Sequence, residues 1–238
     1  MVQVKDHRGL AYLSGGMEKA VNLGAKWREV CSERLVAMGY KSIDITALDV
    51  AYTQAHGSVT DAGYTVGADA SELQIKSNIR RQFIYTDLRL IRDDCDFVIA
   101  YYDQSFKDGS GSFTECQAAY DSKKPLFIVS EFAHTPSWLK SLATKTFYAA
   151  RSDFAFEQLY DYLGALPPGI LKTDRYGNHG SGSHYLCSLC GDVFAKTKQH
   201  FVSEVSPLLC KSCVDIVQQT RERHADRYEF AVKYLNKE

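Results

Sequence analysis

The chain has 238 residues, of which 45% are hydrophobic and 24% charged, with a formal net charge of −1. That suits one domain of ordinary size plus a small appendage. The near-zero charge gives no electrostatic case for nucleic acid or an acidic membrane, and no apolar run approaches the ~20 residues that span a bilayer. With no apolar signal region in MVQVKDHRG either, a cytoplasmic protein is expected.

In chain order, Leu10–Leu13 reads as a first strand that ends at Ser14-Gly15-Gly16. A helix is expected from Met17 to about Met38, with Ala20, Leu23, Trp27, Val30 and Leu35 at helical spacing and Gly39 as its stop. Strand, glycine turn and helix open a nucleotide-binding α/β unit, and amides at the helix start can hold an anion. Neither a GxGxxG nor a P-loop is present, which argues against a dinucleotide enzyme or an ATPase. The partly alternating Lys41–Leu48 reads as a second strand, and Tyr52–Ala70, rich in Gly, Ser, Thr and Asp, as a long loop, either a lid or an inert insertion. A helix is expected over Ser71–Cys95, with Leu73, Ile79, Phe83, Ile84, Leu88 and Ile91 on its apolar face and Asp87 near its end.

The most informative stretch is Asp96–Ala119. The unbroken apolar run Phe97–Tyr102 suits a strand buried on both faces of a parallel sheet. A glycine-rich loop, Asp103–Gly111, follows, and a helix begins near Ser112. Such loops lie at the carboxyl edge of open sheets, where ligands bind. Glu115, placed by this reading in the first helical turn, is a candidate nucleophile. Ser112-Phe-Thr-Glu115 is equally a capping box, in which serine and glutamate satisfy the amides of the helix start. Further strands are expected at Pro125–Val129 and Thr146–Ala149, and helices at Pro136–Leu142 and Asp153–Leu163. The alternation predicts a parallel sheet with helices on both faces. Pro167-Pro168-Gly169 stops regular structure, giving an α/β domain at 1–166, a linker at 167–184 and a C-terminal module at 185–238 that ends in an amphipathic helix.

In that module Cys187-x2-Cys190 and Cys210-x2-Cys213, nineteen residues apart, have the spacing of a four-cysteine zinc ribbon. Four protein ligands leave no open position, so the zinc is expected to be structural. His184 and His200 are read as bystanders, and Cys31, Cys95 and Cys116 as buried small apolar residues. Ribbons often touch nucleic acid, but this one carries eight Lys/Arg against seven Asp/Glu, too small an excess for a phosphate-binding surface.

Tyr12-Leu-Ser-Gly15, Asp87-Leu88, Asp96-Phe-Val-Ile-Ala100, Gly111-Ser112-Phe-Thr-Glu115 and Ala118-Ala119 together resemble the nucleoside 2-deoxyribosyltransferase superfamily, which includes nucleoside 5′-monophosphate N-glycosidases. The resemblance covers about residues 9–150. It implies a flavodoxin-like doubly wound sheet, a glutamate nucleophile at Glu115, a tyrosine at Tyr12 hydrogen-bonded to it, and an aspartate at Asp87 that contacts the base. A further acid falls on Asp108, with spacing one residue longer than the commonest pattern, and Gly16 stands where many members have proline. It also implies a homo-oligomer and a nucleoside or nucleotide substrate, with another base or water as acceptor. Ser14, Gly15, Gly16, Asp103, Ser110, Gly111 and Ser112 are the expected substrate-binding positions. Two other readings stay open: a nucleic-acid or protein-binding module with a catalytically silent α/β domain, and a glycohydrolase of an NAD-type dinucleotide.

Overall fold

The apolar run Phe97–Tyr102 forms the middle strand of a five-stranded parallel sheet and is buried along its whole length. The computed structural model describes residues 7–17, 20–56, 81–149, 151–172, 179–181, 184–195 and 208–223. The strands are β1 (Leu10–Gly15), β2 (Lys41–Ile43), β3 (Phe97–Tyr102), β4 (Leu126–Ser130) and β5 (Lys145–Tyr148), in the order β2-β1-β3-β4-β5. This is one of the two common doubly wound orders, and it reverses between β1 and β3.

Alternation along the strands sends side chains into two cores. Leu13, Ile99 and Phe127 meet α1 (Ala25–Ala37) and α7 (Ser152–Ala165), whose Ala155, Leu159 and Leu163 recur every fourth residue. Tyr12, Val98, Ala100 and Ile128 face the other way. They pack with Ile45 of α2 (Ile45–His56), Phe106 of α4 (Gln104–Lys107), Cys116 and Ala119 of α5 (Gly111–Asp121), and Leu139 of α6 (Ser137–Leu142). The same core takes Ile91 from a π-helical turn, Leu90–Asp94, that ends the helical run 81–89, α3.

Several expectations change. The second strand stops at Ile43, not Leu48, because Asp44 caps a helix: its Oδ1 accepts from Thr46 N (2.9 Å) and Ala47 N (3.4 Å), the N2 and N3 positions. That helix runs through Tyr52–His56, the start of the expected loop; 57–70 lies outside the described residues. The helix expected from Met17 begins at Ala25, after a 3-10 turn, Val21–Gly24, in which Asn22 (φ 50°), Leu23 (φ 55°) and Gly24 (φ 70°) are left-handed. Left-handed backbone disfavours a bulky residue such as leucine by about 1–2 kcal/mol, so this turn needs external support. The buried face of α1 is Arg28, Cys31 and Leu35, whereas Val30 is 45% exposed. On α3, Ile84 is also exposed; 71–80 lies outside the described residues.

After α7, Ile170 and Leu171, within the span expected as a linker, are buried in the α1/α7 core. His179 sets Nδ1 2.6 Å from the Leu171 carbonyl and Nε2 2.9 Å from that of Lys123. A small antiparallel sheet follows, β6 (Gly180–Ser181), β7 (His184–Leu186) and β8 (Val193–Ala195), and then α8 (Lys211–Arg223). Among the described residues no helix is long and apolar enough to cross a membrane. Removing the Asp44 cap by Asp44→Ala is expected to lower the free energy of unfolding by about 1 kcal/mol. Urea denaturation measures this, and an unchanged midpoint would dismiss the cap.

Candidate active site and metal centre

The order of the strands reverses between β1 and β3, and the loops after these two strands lie at the carboxyl edge, where sheets of this kind bind ligands. Residues two apart on a strand share a face, so Tyr12 and Ser14 both point from β1 toward α5. There they meet Glu115. Tyr12 donates its hydroxyl proton to Oε1 (2.9 Å), and Ser14 Oγ donates to Oε2 (2.5 Å). Each carboxylate oxygen thus has one fixed donor and keeps lone-pair capacity for something else.

Burial sets the electrostatics. It raises the Glu115 pKa above the ordinary 4.5, and the Ser14 and Tyr12 hydrogen bonds and the Arg28 charge pull it back only in part. Burial also raises Tyr12 well above 10.0, helped by the charges of Glu115 and Asp87. The phenol therefore stays protonated and remains a donor throughout the working range. The Glu115 residue is partly exposed, its carboxyl end is buried, and Tyr12 and Ser14 behind it are sealed.

The capping-box reading is not what forms. The helix starts at Gly111 with Ser110 as its cap residue, and no side chain caps it. Counting from there, Glu115 is the fifth helical residue. It lies beyond both the cap and the first turn, where the macrodipole acts most strongly. Ser112 is buried inside the helix.

Asp87, half-buried on α3, lies close enough to Tyr12 for its charge to act on the phenol. Asp108 is exposed at the end of α4 and takes its hydrogen bond from Gln104 Nε2 (3.1 Å). Asp103 caps α4, accepting from Phe106 N (2.8 Å) and Ser105 Oγ (2.7 Å). Gly16 is required by packing: a Cβ there would lie 2.1 Å from Ser105 Oγ and 2.6 Å from Phe106 N. At Gly15 a Cβ would meet the Trp27 ring at 2.8 Å, whereas Gly111 and Ser110 face open space and solvent. A cleft of about 680 Å³ is walled by Trp27, Tyr101, Phe156 and Tyr160 and reaches Asp103, Gln104 and Ser105 after β3, and none of Tyr12, Ser14 or Glu115 lines it.

Sequence reading missed Arg28. It is 1% exposed, and its guanidinium is spent on the carbonyls of Leu13, Gly15, Leu23 and Gly24. The signal was a lone arginine in register with Cys31 and Leu35, a position where charge is rarely buried without partners.

In the C-terminal module the Sγ atoms of Cys187, Cys190, Cys210 and Cys213 all lie within 4.8 Å of one another. The Cys190–Cys210 separation of 3.8 Å equals the edge of a tetrahedron with zinc–sulfur bonds of about 2.3 Å. Gly191 turns the first knuckle at φ 75°, and Cys210 N donates to Cys187 Sγ (3.4 Å). The four sulfurs fit a structural zinc ion. His184 is exposed and outside the group; His200 lies outside the described residues. Leu209, Val214 and Val217 pack against the knuckles, so the apolar side of α8 belongs to this module. Tyr162 of α7 donates its hydroxyl to Gly191 O (2.6 Å), and Leu186 and Val193 join the α1/α7 core. Cys31, Cys95 and Cys116 are buried, as expected.

Two outcomes are expected. With a folded-state pKa above the unfolded one, ionised Glu115 lowers stability as pH rises past 4.5. Glu115→Gln should therefore raise the melting temperature at neutral pH, and the gain should vanish below about pH 4, where both states are protonated. Native mass spectrometry should find one zinc per chain, lost in Cys213→Ser together with roughly 2–4 °C of melting temperature, the shift about 1 kcal/mol produces at this size.

No family model matches the chain, and no curated protein sequence matches it. Among solved structures it is similar to a 2-deoxyribosyltransferase of the psychrotolerant bacterium Bacillus psychrosaccharolyticus, at 10% identity and a TM-score of 0.39, over 68% of this chain and 96% of that one. It is also similar to the CMP N-glycosidase BcmB of Clostridium botulinum, at 12% identity and a TM-score of 0.35, over 64% and 98%. Likenesses this distant carry no weight for the chemistry.

Proposed function

We propose that this protein cleaves the N-glycosidic bond of a nucleoside or nucleotide through a covalent glycosyl ester on Glu115, and passes the sugar to another base or to water. The observation that carries the reading is the Glu115 carboxylate at the switch point of the sheet, aimed by Tyr12 Oη (2.9 Å) and Ser14 Oγ (2.5 Å).

A Glu115 oxygen attacks the anomeric carbon as the carbon–nitrogen bond breaks, and the bonding pair leaves with the base nitrogen. The base takes up a proton, a role assigned to Asp87, which lies near Tyr12 and enters the cycle as the neutral carboxylic acid. The sugar passes through an oxocarbenium-like state, which a carboxylate beside it stabilises and then traps. In the second half the acceptor's lone pair attacks the same carbon, the ester carbon–oxygen bond breaks, and the carboxylate is restored. The acceptor's proton returns to Asp87. Burial favours this use of Glu115, since a carboxylate held above its ordinary pKa is less stabilised by water and gains more on bonding. The two hydroxyls stop it from rotating out of line. In this reading the four-cysteine module is a structural zinc site that takes no part in the chemistry.

The test is to incubate the protein with deoxynucleosides and with deoxynucleoside monophosphates, with and without an acceptor base, and to follow free and exchanged base by chromatography. Glu115→Gln is expected to lower turnover by at least about 10³-fold. Acid-quenched wild type should carry one pentosyl unit on the peptide containing Glu115. The rate should fall with acid, with a midpoint above 4.5, where Glu115 takes up a proton. Undiminished turnover by Glu115→Gln would remove Glu115 from the mechanism.

A further inference from the structure

We propose that Arg28 is a positioning residue of the Glu115 site, holding the carbonyls on either side of Ser14 and so fixing the strand end whose hydroxyls aim the carboxylate. The proposal rests on the reading of Glu115 as the reacting group, and it stands on hydrogen-bond geometry. Arg28 Nε donates to Leu13 O (3.3 Å) and Nη2 to Gly15 O (2.8 Å). These residues are two apart on β1, so their carbonyls point the same way, and Ser14 between them sends its side chain to the opposite face of the sheet. On that face its hydroxyl bonds Glu115 Oε2. One planar fork thus brackets the residue that orients the carboxylate.

The remaining donor makes the second anchor. Nη1 bonds Leu23 O (3.1 Å) and Gly24 O (3.2 Å), two residues of the left-handed turn, and the guanidinium carbon lies 4.7 Å from the centre of the Trp27 ring. Arg28 therefore ties the end of β1 to the turn that leads into α1, and the strand end cannot swing away from α5 without breaking these bonds. A lysine has no planar fork and cannot reproduce the set. Among the described residues no carboxylate lies within ion-pairing distance of Arg28. Burial lowers its pKa, and Glu115 is the foremost charge that answers it through space, ahead of Asp44 and Asp103. The coupling is mutual, since the Arg28 charge helps to keep Glu115 ionised.

The test uses the full chain with 13C-labelled glutamate and 15N-labelled arginine. In wild type the Arg28 Nε–H resonance should titrate with the same midpoint as the Glu115 carboxyl, and it should stop titrating in Glu115→Gln. In Arg28→Lys the Glu115 midpoint should move up, and in Arg28→Met further up. With substrate, Arg28→Lys should lose roughly 10- to 100-fold in kcat, the penalty of a small misplacement, with KM within about twofold. Its effect should be non-additive with that of Ser14→Ala. Independent titration of Arg28 and Glu115, or additive effects of the two substitutions, would overturn the proposal. The resonance measurements need no turnover and, in wild type and Glu115→Gln, no change at Arg28. A protein that releases no base yet shows the shared midpoint would sink the reaction while leaving the clamp in place.

Discussion

A carboxylate drawn out of water against two hydroxyls is the constraint on which the rest of the site depends. Hydrogen bonds to a charged group are worth about 1.5–3 kcal/mol each, yet taking the charge out of water costs several kcal/mol. Here desolvation wins: Glu115 is harder to ionise than a free glutamate even with Tyr12 and Ser14 donating to it. The surrounding residues make this tolerable. Tyr12 and Ser14 share a strand face, Cys116 and Ala119 bring α5 close to the sheet, and Arg28 answers the charge from behind β1. Were the helix to start at the cap first read from the sequence, Glu115 would be spent on its own backbone and the strand hydroxyls would have no acceptor.

Much of this was legible before the structure. The apolar run at Phe97–Tyr102 allows a strand buried on both faces and little else, and it forms the middle of the sheet. The two Cys-x2-Cys pairs, nineteen residues apart, bring four sulfurs within 4.8 Å of one another. Both signals come from strong local chemistry. What escaped depends on contacts distant in sequence. Asp44 read as part of an alternating strand, because capping shows only once the next turn is helical. The Met17–Met38 segment read as one helix, because nothing local marks Asn22 and Leu23 as left-handed. Their conformation is supported by an arginine at position 28 that reaches back to Leu23 and Gly24. Likewise, the meeting of Glu115 with Tyr12 joins residues about a hundred apart, and spacing alone does not encode it.

The glycines after β1 show how a sequence signal can be sound while its cause differs. Ser14-Gly15-Gly16 read as a turn suited to an anion. In the fold, Gly16 is small because Ser105 and Phe106 of α4 stand against it, and Gly15 because the Trp27 ring does. The turn after β1 is therefore shaped by packing from both sides, and the serine ahead of it is left facing Glu115.

The order of the sheet has a consequence for the cysteine module. β5 is its last strand, and among the described residues its outer side has no neighbouring strand. Such flanks invite pairing with another molecule and seed aggregation. The Gly191 knuckle stands against Thr144 and Lys145 at the start of that strand and is pinned there by Tyr162. The knuckle thus stands as a bumper at one end of that flank of the α/β domain.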